Sequence, residues 1–400
     1  MAKSPLIFLP GILGSKIQAY DKYYGIIPIP FFDGWWDAWS ATAETWIERM
    51  EFSSSLTPKY KSRCPGILEQ AFVGEPPYPV KDVYILTINC LKSLGYEKDK
   101  DLFLCAYDFR YGLDLLANSK EDISERKSLS SFIEEVKQKT SSSKVSLMCH
   151  SMGGLVALNY LVSDPNRINN IDRIVLLGTP VFGAAKAFAS LTCGFPPDPL
   201  YDYLAQYWAP TRLKWKQISR FFSSTYQLIP SRPLVEGIGS FVSIFDQNQS
   251  YEQAHGINAE DQINNDLLIS QDLLRASFEW KENFIGSLKS NWNAFSSCLY
   301  FIQGNNVVTP VKYSIIYPTE YINPLWAIFK RSSRIDWRLA IDNQSTLITS
   351  KEGDGTVLNY GLREFLGVDP QRIYQFDRVE HLDLATHPDV LQCAVKLLSS

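Results

Sequence analysis

The stretch KVSLMCHSMGGLVALNYLVS, residues 144–163, decides how the rest of the chain is read. Lys144 to Cys149 have the composition of a buried strand, and Gly153 to Ser163 read as a nearly all-apolar helix. A strand and a helix with apolar character on every side belong to a sheet covered on both faces. Between them stands Ser151, held between His150 and Met152 and followed by two glycines. A serine in a tight strand-to-helix turn projects its hydroxyl above the carboxyl ends of the strands, where open α/β sheets bind ligands.

The same rhythm continues outward. Residues 4–9 read as a short buried strand that ends at Pro10-Gly11, 82–96 as a helix and 101–109 as a strand. In 125–140, Leu129, Phe132, Ile133 and Val136 recur at helical spacing with charges opposite. Strands are expected at 171–180, 298–304 and 372–377, and a closing helix at 387–399, with Thr386 as its cap and Pro388 in its first turn. Alternating strands and helices predict an α/β fold with a mainly parallel sheet covered by helices on both faces.

The rhythm fails twice, at roughly 20–80 and again from 181 to 297, which is rich in aromatics and prolines. The expected organisation is a core built from residues 1–20, 81–180 and 298–400, an early lid segment at 21–80, and a cap inserted at 181–297.

Composition narrows the function. A net charge of −4 without a basic block excludes a nucleic-acid partner. The apolar run Leu6–Leu9 is broken by Pro10, too short for a signal sequence, and no run approaches the roughly 20 apolar residues of a membrane span. Seven scattered cysteines without a C-x-x-C pair suggest free thiols in a reducing compartment, with the cytoplasm as the default. Four histidines without close ligand spacing suggest no metal, and no cofactor is expected.

Cys149-His150-Ser151-Met152-Gly153 is one substitution from the G-x-S-x-G turn, whose outer positions must be small because strand and helix backbones crowd there. Met152 is then a backbone N–H donor for an oxyanion. Ile12, in the turn after the first strand, is a second. A base must come from four histidines. His150 adjoins the serine and is expected to point away and support the loop; His255 lies in the irregular insertion, and His387 opens the last helix. His381, between the last strand and the last helix, is the leading base. Asp354, between glycines in KEGDGTV, is the leading acid, with Asp342 and Asp383 as rivals. The chain order Ser151, Asp354, His381 implies acyl transfer through a covalent ester.

Taken together, FLPGILGS (8–15), YDFR (107–110), HSMGGL (150–155), LGTPVFGA (177–184), GDGTV (353–357) and EHLDL (380–384) resemble the lecithin:cholesterol acyltransferase family, which includes phospholipid:diacylglycerol acyltransferases and related phospholipases. The resemblance implies an α/β-hydrolase fold with an inserted cap or lid. It places the nucleophile at Ser151, the acid at Asp354, the base at His381 and the oxyanion donors at Ile12 and Met152. YDFR departs from the family's Y-D-W-R at Phe109, and Asp108 and Arg110 are read as loop supports. Cys149 is a second departure.

The resemblance also implies an acyl ester or lipid substrate, with an early segment that engages lipid. IPIPFFDGWWDAWSATAETW (27–46) suits that role, with Trp35, Trp36, Trp39 and Trp46 lying partly along one face if this stretch is helical. The leader that anchors or exports many family members is not evident, so the expected protein is cytoplasmic, with membrane contact that is peripheral. Two further readings remain: an esterase or cyclising acyltransferase acting on a specialised metabolite, and a non-catalytic lipid-binding protein on a hydrolase-like scaffold.

Overall fold

Six parallel strands form the central sheet: β1 (Leu6–Leu9), β2 (Leu102–Leu104), β3 (Val145–His150), β4 (Ile171–Leu177), β5 (Leu299–Asn305) and β6 (Ile373–Asp377). The computed structural model describes residues 4–21, 34–39, 48–72, 80–193, 215–232, 234, 242–246, 270–317 and 347–399. In space the strands run β6-β5-β4-β3-β1-β2. The chain leaves β1 for the edge strand β2, returns to β3 on the other side of β1, and then advances to β6. The reversal falls between β1 and β3, and a doubly wound sheet opens its ligand crevice at that switch point.

Strands β1 and β3 are buried at every residue, as their continuous apolar runs demand. Helices α1 (Ile85–Ser93), α2 (Leu113–Asn118), α3 (Leu129–Thr140), α4 (Met152–Ser163), α5 (Gln271–Ser290) and α6 (Pro388–Ser399) accompany the sheet. Helix α3 begins where the Ser128 hydroxyl accepts the Ser131 N–H and buries Leu129, Ile133 and Val136. Helix α4 has ten buried residues, Met152 to Leu161, and packs against α2, α3, α5 and β3. This mainly parallel sheet with its helices is the α/β-hydrolase fold. Among the described residues, no helix is long and apolar enough to cross a membrane. Cys64, Cys90, Cys105, Cys149, Cys298 and Cys393 are free thiols.

Two local expectations need correction. Within the tryptophan-rich stretch, the described residues Gly34–Trp39 form a strand rather than a helix, antiparallel to Ile17–Asp21, which also pairs with Ser62–Arg63. Aromatic side chains suit a half-buried pleated surface, and backbone pairing with Ile17–Asp21 decides the outcome over helical spacing. Trp46 lies outside the described residues. At the last helix, the Thr386 hydroxyl turns back to the Asp383 carbonyl, 3.4 Å away, and the helix starts two residues later, at Pro388.

The YDFR motif ties the small sheet and its neighbours to the core. Arg110 is fully buried and forks onto Asp108, with Nε 2.8 Å from Oδ1 and Nη2 2.5 Å from Oδ2. Its remaining donors reach the Met50 carbonyl at 3.1 Å and the Ser62 hydroxyl at 2.9 Å. Ser124 donates to Asp108 Oδ2 at 2.6 Å. A buried pair of this kind is worth little against an apolar replacement of both partners, but removing one strands the other charge. Arg110→Ala is expected to lower the free energy of unfolding by about 3–5 kcal/mol. The check is a urea titration followed by circular dichroism.

Candidate active site

Ser151 follows β3 directly with φ 52° and ψ −124°, a conformation that non-glycine residues avoid and that tight functional turns retain. Its N–H donates to the Leu177 carbonyl at 2.8 Å, and its carbonyl accepts from the Gly154 N–H at 2.9 Å. The turn requires α4 to start almost on top of β1. A Cβ at Gly153 would lie 2.5 Å from the Pro10 carbonyl oxygen and 2.8 Å from that of Leu9, so only glycine fits. Cys149 fills the other crowded position without any exposure. Burial raises its thiol pKa well above the ordinary value, so it serves as a small apolar filler.

Two distant loops complete the site. His381 Nε2 lies 2.9 Å from Ser151 Oγ, and His381 Nδ1 lies 2.7 Å from Asp354 Oδ2. The two loops are also joined through the main chain, since the His381 N–H donates to the Asp354 carbonyl at 2.8 Å. Asp354 Oδ1 accepts the N–H groups of Thr356 and Val357 at 2.9 and 2.7 Å, which fixes the carboxylate plane. The Thr309 hydroxyl holds the Gly355 N–H at 2.8 Å. Ser151, Asp354 and His381 are all buried, at 6%, 2% and 8% exposure, so this contact is made where water screens it little.

Gly178, at the end of β4, makes room for the pair. Its φ is +56°, and a Cβ there would lie 2.9 Å from His381 Nδ1 and 3.0 Å from Asp354 Oδ2. No single-sequence signal marks this role, because the glycine is some 200 residues from the groups it accommodates.

The structure separates the rival candidates. Asp383 is exposed, and its carbonyl accepts the N–H groups of Thr386 and His387. His387 stands at the start of α6. Asp342 and His255 lie outside the described residues. His150 is buried beneath the serine, with its ring centroid 5.0 Å from that of His381. Its Nδ1 lies 2.8 Å from the Tyr84 hydroxyl and its Nε2 2.9 Å from the His381 carbonyl. Burial, and next the neighbouring His381, pull its pKa down to about 3, so the ring is neutral.

The oxyanion candidates Ile12 and Met152 lie in the turn after β1 and at the start of α4. Met152 opens α4, so its N–H is one of the donors without an intrahelical partner. The Gly11 N–H is taken by the Tyr84 hydroxyl at 2.8 Å, which leaves Ile12 as the next donor of the turn. Of the three described tryptophans of that stretch, Trp39 reaches the turn after β1. Its indole N–H donates to the Leu13 carbonyl at 2.8 Å, and its ring packs against Phe109 and Trp215. Trp35 lies under the Arg63 guanidinium, 4.4 Å from its ring centroid, and Trp36 is near Arg49. Among the described residues, no group of three or more His, Cys, Asp or Glu side chains is arranged for a metal ion.

The family model for lecithin:cholesterol acyltransferase matches residues 37–284, well over half of the chain. The chain belongs to the lecithin:cholesterol acyltransferase family. In this family member the matched stretch includes Ser151 but ends before Asp354 and His381, whose association with the serine is a matter of geometry. Among solved structures, the chain is similar to the Tle4–Tli4 complex at 14% identity and a TM-score of 0.48, covering 100% of this chain and 99% of that one. It is similar to Bacillus licheniformis lipase BlEst2 in its mature form at 11% identity and a TM-score of 0.41, covering 99% of this chain and 92% of that one. For EstA from Clostridium botulinum the identity is 12% and the TM-score 0.35, covering 99% and 87%. No curated protein matches the chain.

Two outcomes follow from this geometry. Gly178→Ala is expected to push His381 and Asp354 apart and to lower ester turnover by roughly tenfold to a hundredfold, checked by steady-state kinetics. The second concerns pH. Unfolded His150 takes up a proton near pH 6.5, whereas the folded ring does so only near 3. Its contribution to stability is therefore intact above pH 6.5 and is lost as pH falls toward 3. Between pH 6 and 4 the wild type should lose about 1.4 kcal/mol per pH unit more than His150→Gln. Denaturant titrations across that range measure the difference.

Proposed function

We propose that this chain is a serine-dependent acyltransferase or lipase that takes the acyl group from a lipid ester and passes it to an alcohol or to water. Family membership supports lipid-ester chemistry in this coarse sense. The observation that carries the finer reading is the single imidazole of His381, bonded to Ser151 Oγ through Nε2 and to Asp354 through Nδ1.

In this reading Ser151 Oγ attacks the ester carbonyl while His381 Nε2 takes its proton. Asp354 holds Nδ1–H in the required tautomer and stabilises the imidazolium that forms. The N–H groups of Ile12 and Met152 receive the oxyanion, each such donor being worth about 2.7–4 kcal/mol of barrier. Collapse of the tetrahedral intermediate expels the donor's alkoxide, which takes the proton back from His381. The acyl-enzyme is then resolved by an alcohol or by water, with His381 again acting as base. Residues 21–80 and 181–297 are the lid and cap of this reading, and the tryptophans of the early segment are its lipid-facing candidates. Trp39 is a support for the Leu13 turn within that segment.

A fluorophosphonate probe followed by peptide mapping tests the reading. The expected adduct is on Ser151, and Ser151→Ala and His381→Ala should each lose at least about a thousandfold in turnover while remaining folded. Wild-type rates in either variant, or an adduct elsewhere, would overturn the assignment. Product analysis with a phospholipid donor, with and without an added alcohol acceptor, separates transfer from hydrolysis.

A further inference from the structure

A buried line of hydrogen bonds runs directly beneath the serine and uses none of the three residues' reacting atoms. The Gly11 N–H donates to the Tyr84 hydroxyl at 2.8 Å, Tyr84 Oη lies 2.8 Å from His150 Nδ1, and His150 Nε2 lies 2.9 Å from the His381 carbonyl. The chemistry of the end group sets the direction of every bond. A carbonyl only accepts, so Nε2 carries the ring proton. Nδ1 then offers a lone pair, which the Tyr84 O–H fills, and the tyrosine oxygen is left to accept from Gly11. One end of this line is the turn that carries Ile12, and the other is the backbone of the base itself.

We propose that Tyr84 and His150 are positioning residues that join the turn after β1 to the His381 loop, so that oxyanion donor and base keep one spacing about Ser151. The proposal rests on the Ser151–His381–Asp354 reading above and adds two residues to it. The surrounding packing has little slack. Tyr84 and His150 are 2% and 1% exposed, and the Tyr84 ring meets Phe8 and His150 edge-on at 5.2 and 5.7 Å. A Cβ at Gly11 would lie 3.0 Å from Ser151 Cβ and 3.1 Å from His150 Nδ1.

The line is also anchored from outside. The N–H groups of Val83, Tyr84 and Ile85 all converge on the Glu69 carbonyl at 3.0 Å, which fixes the start of α1. One turn further on, the Thr87 hydroxyl donates to the Ala385 carbonyl, four residues past the base. The start of α1 therefore holds both loops. A misplacement of about 1 Å in such a site costs on the order of a hundredfold in rate, so a bridge without reacting atoms has a kinetic signature.

The test uses the full chain with a water-soluble p-nitrophenyl ester. Tyr84→Phe removes only the hydroxyl, and His150→Phe removes both ring nitrogens. His150→Gln restores a donor that can reach the His381 carbonyl. Each should lower kcat by about tenfold to a hundredfold with KM within about twofold, and His150→Gln should retain more activity than His150→Phe. Thermal melts identify any variant that has not folded, and Tyr84→Phe, the smallest change, then decides. Wild-type kcat in folded Tyr84→Phe and His150→Gln would overturn the bridge, as would a change confined to KM. Ser151→Ala in the same assay separates the two levels. If it keeps wild-type turnover, the serine reading falls and the bridge falls with it; if it is inactive while the bridge variants are unimpaired, the bridge alone falls.

Discussion

The close approach of α4 to β1 is the constraint on which the rest depends. With no Cβ at Gly153, the helix can start within van der Waals contact of the Leu9 and Pro10 carbonyls. That contact forces Ser151 into its positive-φ turn and sets its hydroxyl at the switch point of the sheet. A looser junction would relax the serine into an ordinary helix N-cap and lower the hydroxyl out of reach of His381. The backbone strain is offset by the continuous burial of β3 and α4 on both sides of the turn.

Around this fixed point the side chains divide into two kinds of loop. The turn after β1 is held from below by Tyr84 and from the side by Trp39 at Leu13. The Asp354 and His381 loops are held to each other through the His381 N–H and through the Asp354 carboxylate. Asp354 has every carboxylate oxygen bonded, so its orientation is decided before any substrate arrives. Preorganisation of this type spends its cost in folding and leaves little to reorganise during a reaction.

The sequence made some of this legible. Continuous apolar runs located β1, β3 and β5 to within two residues and β4 to within three, because buried strands have little compositional freedom. The strand at 101–109 proved shorter, since the chain leaves the sheet after Leu104 to build the Asp108–Arg110 turn. The glycines around Ser151 and Asp354 marked turns by their chemistry, and the structure brings those turns together with His381. The tryptophan stretch was misjudged because spacings of 1, 3 and 7 do not distinguish a helix from a strand when the pairing partner is unknown. Tyr84 and Gly178 could not be found in this way. Their roles depend on partners 66 to about 200 residues away, which only the sheet order brings near.

The order of assembly has a consequence for biosynthesis. β1, the first strand to leave the ribosome, takes an interior place in the sheet, whereas β6, the last, takes an edge. Ser151 and His381 are separated by 230 residues of chain, and the imidazole arrives only with the loop that follows β6. A nascent polypeptide can therefore form the strained serine turn long before the imidazole that bonds to its hydroxyl has been made. The contact between the two side chains can close only when the final edge strand docks, so the site is among the last features of the fold to form.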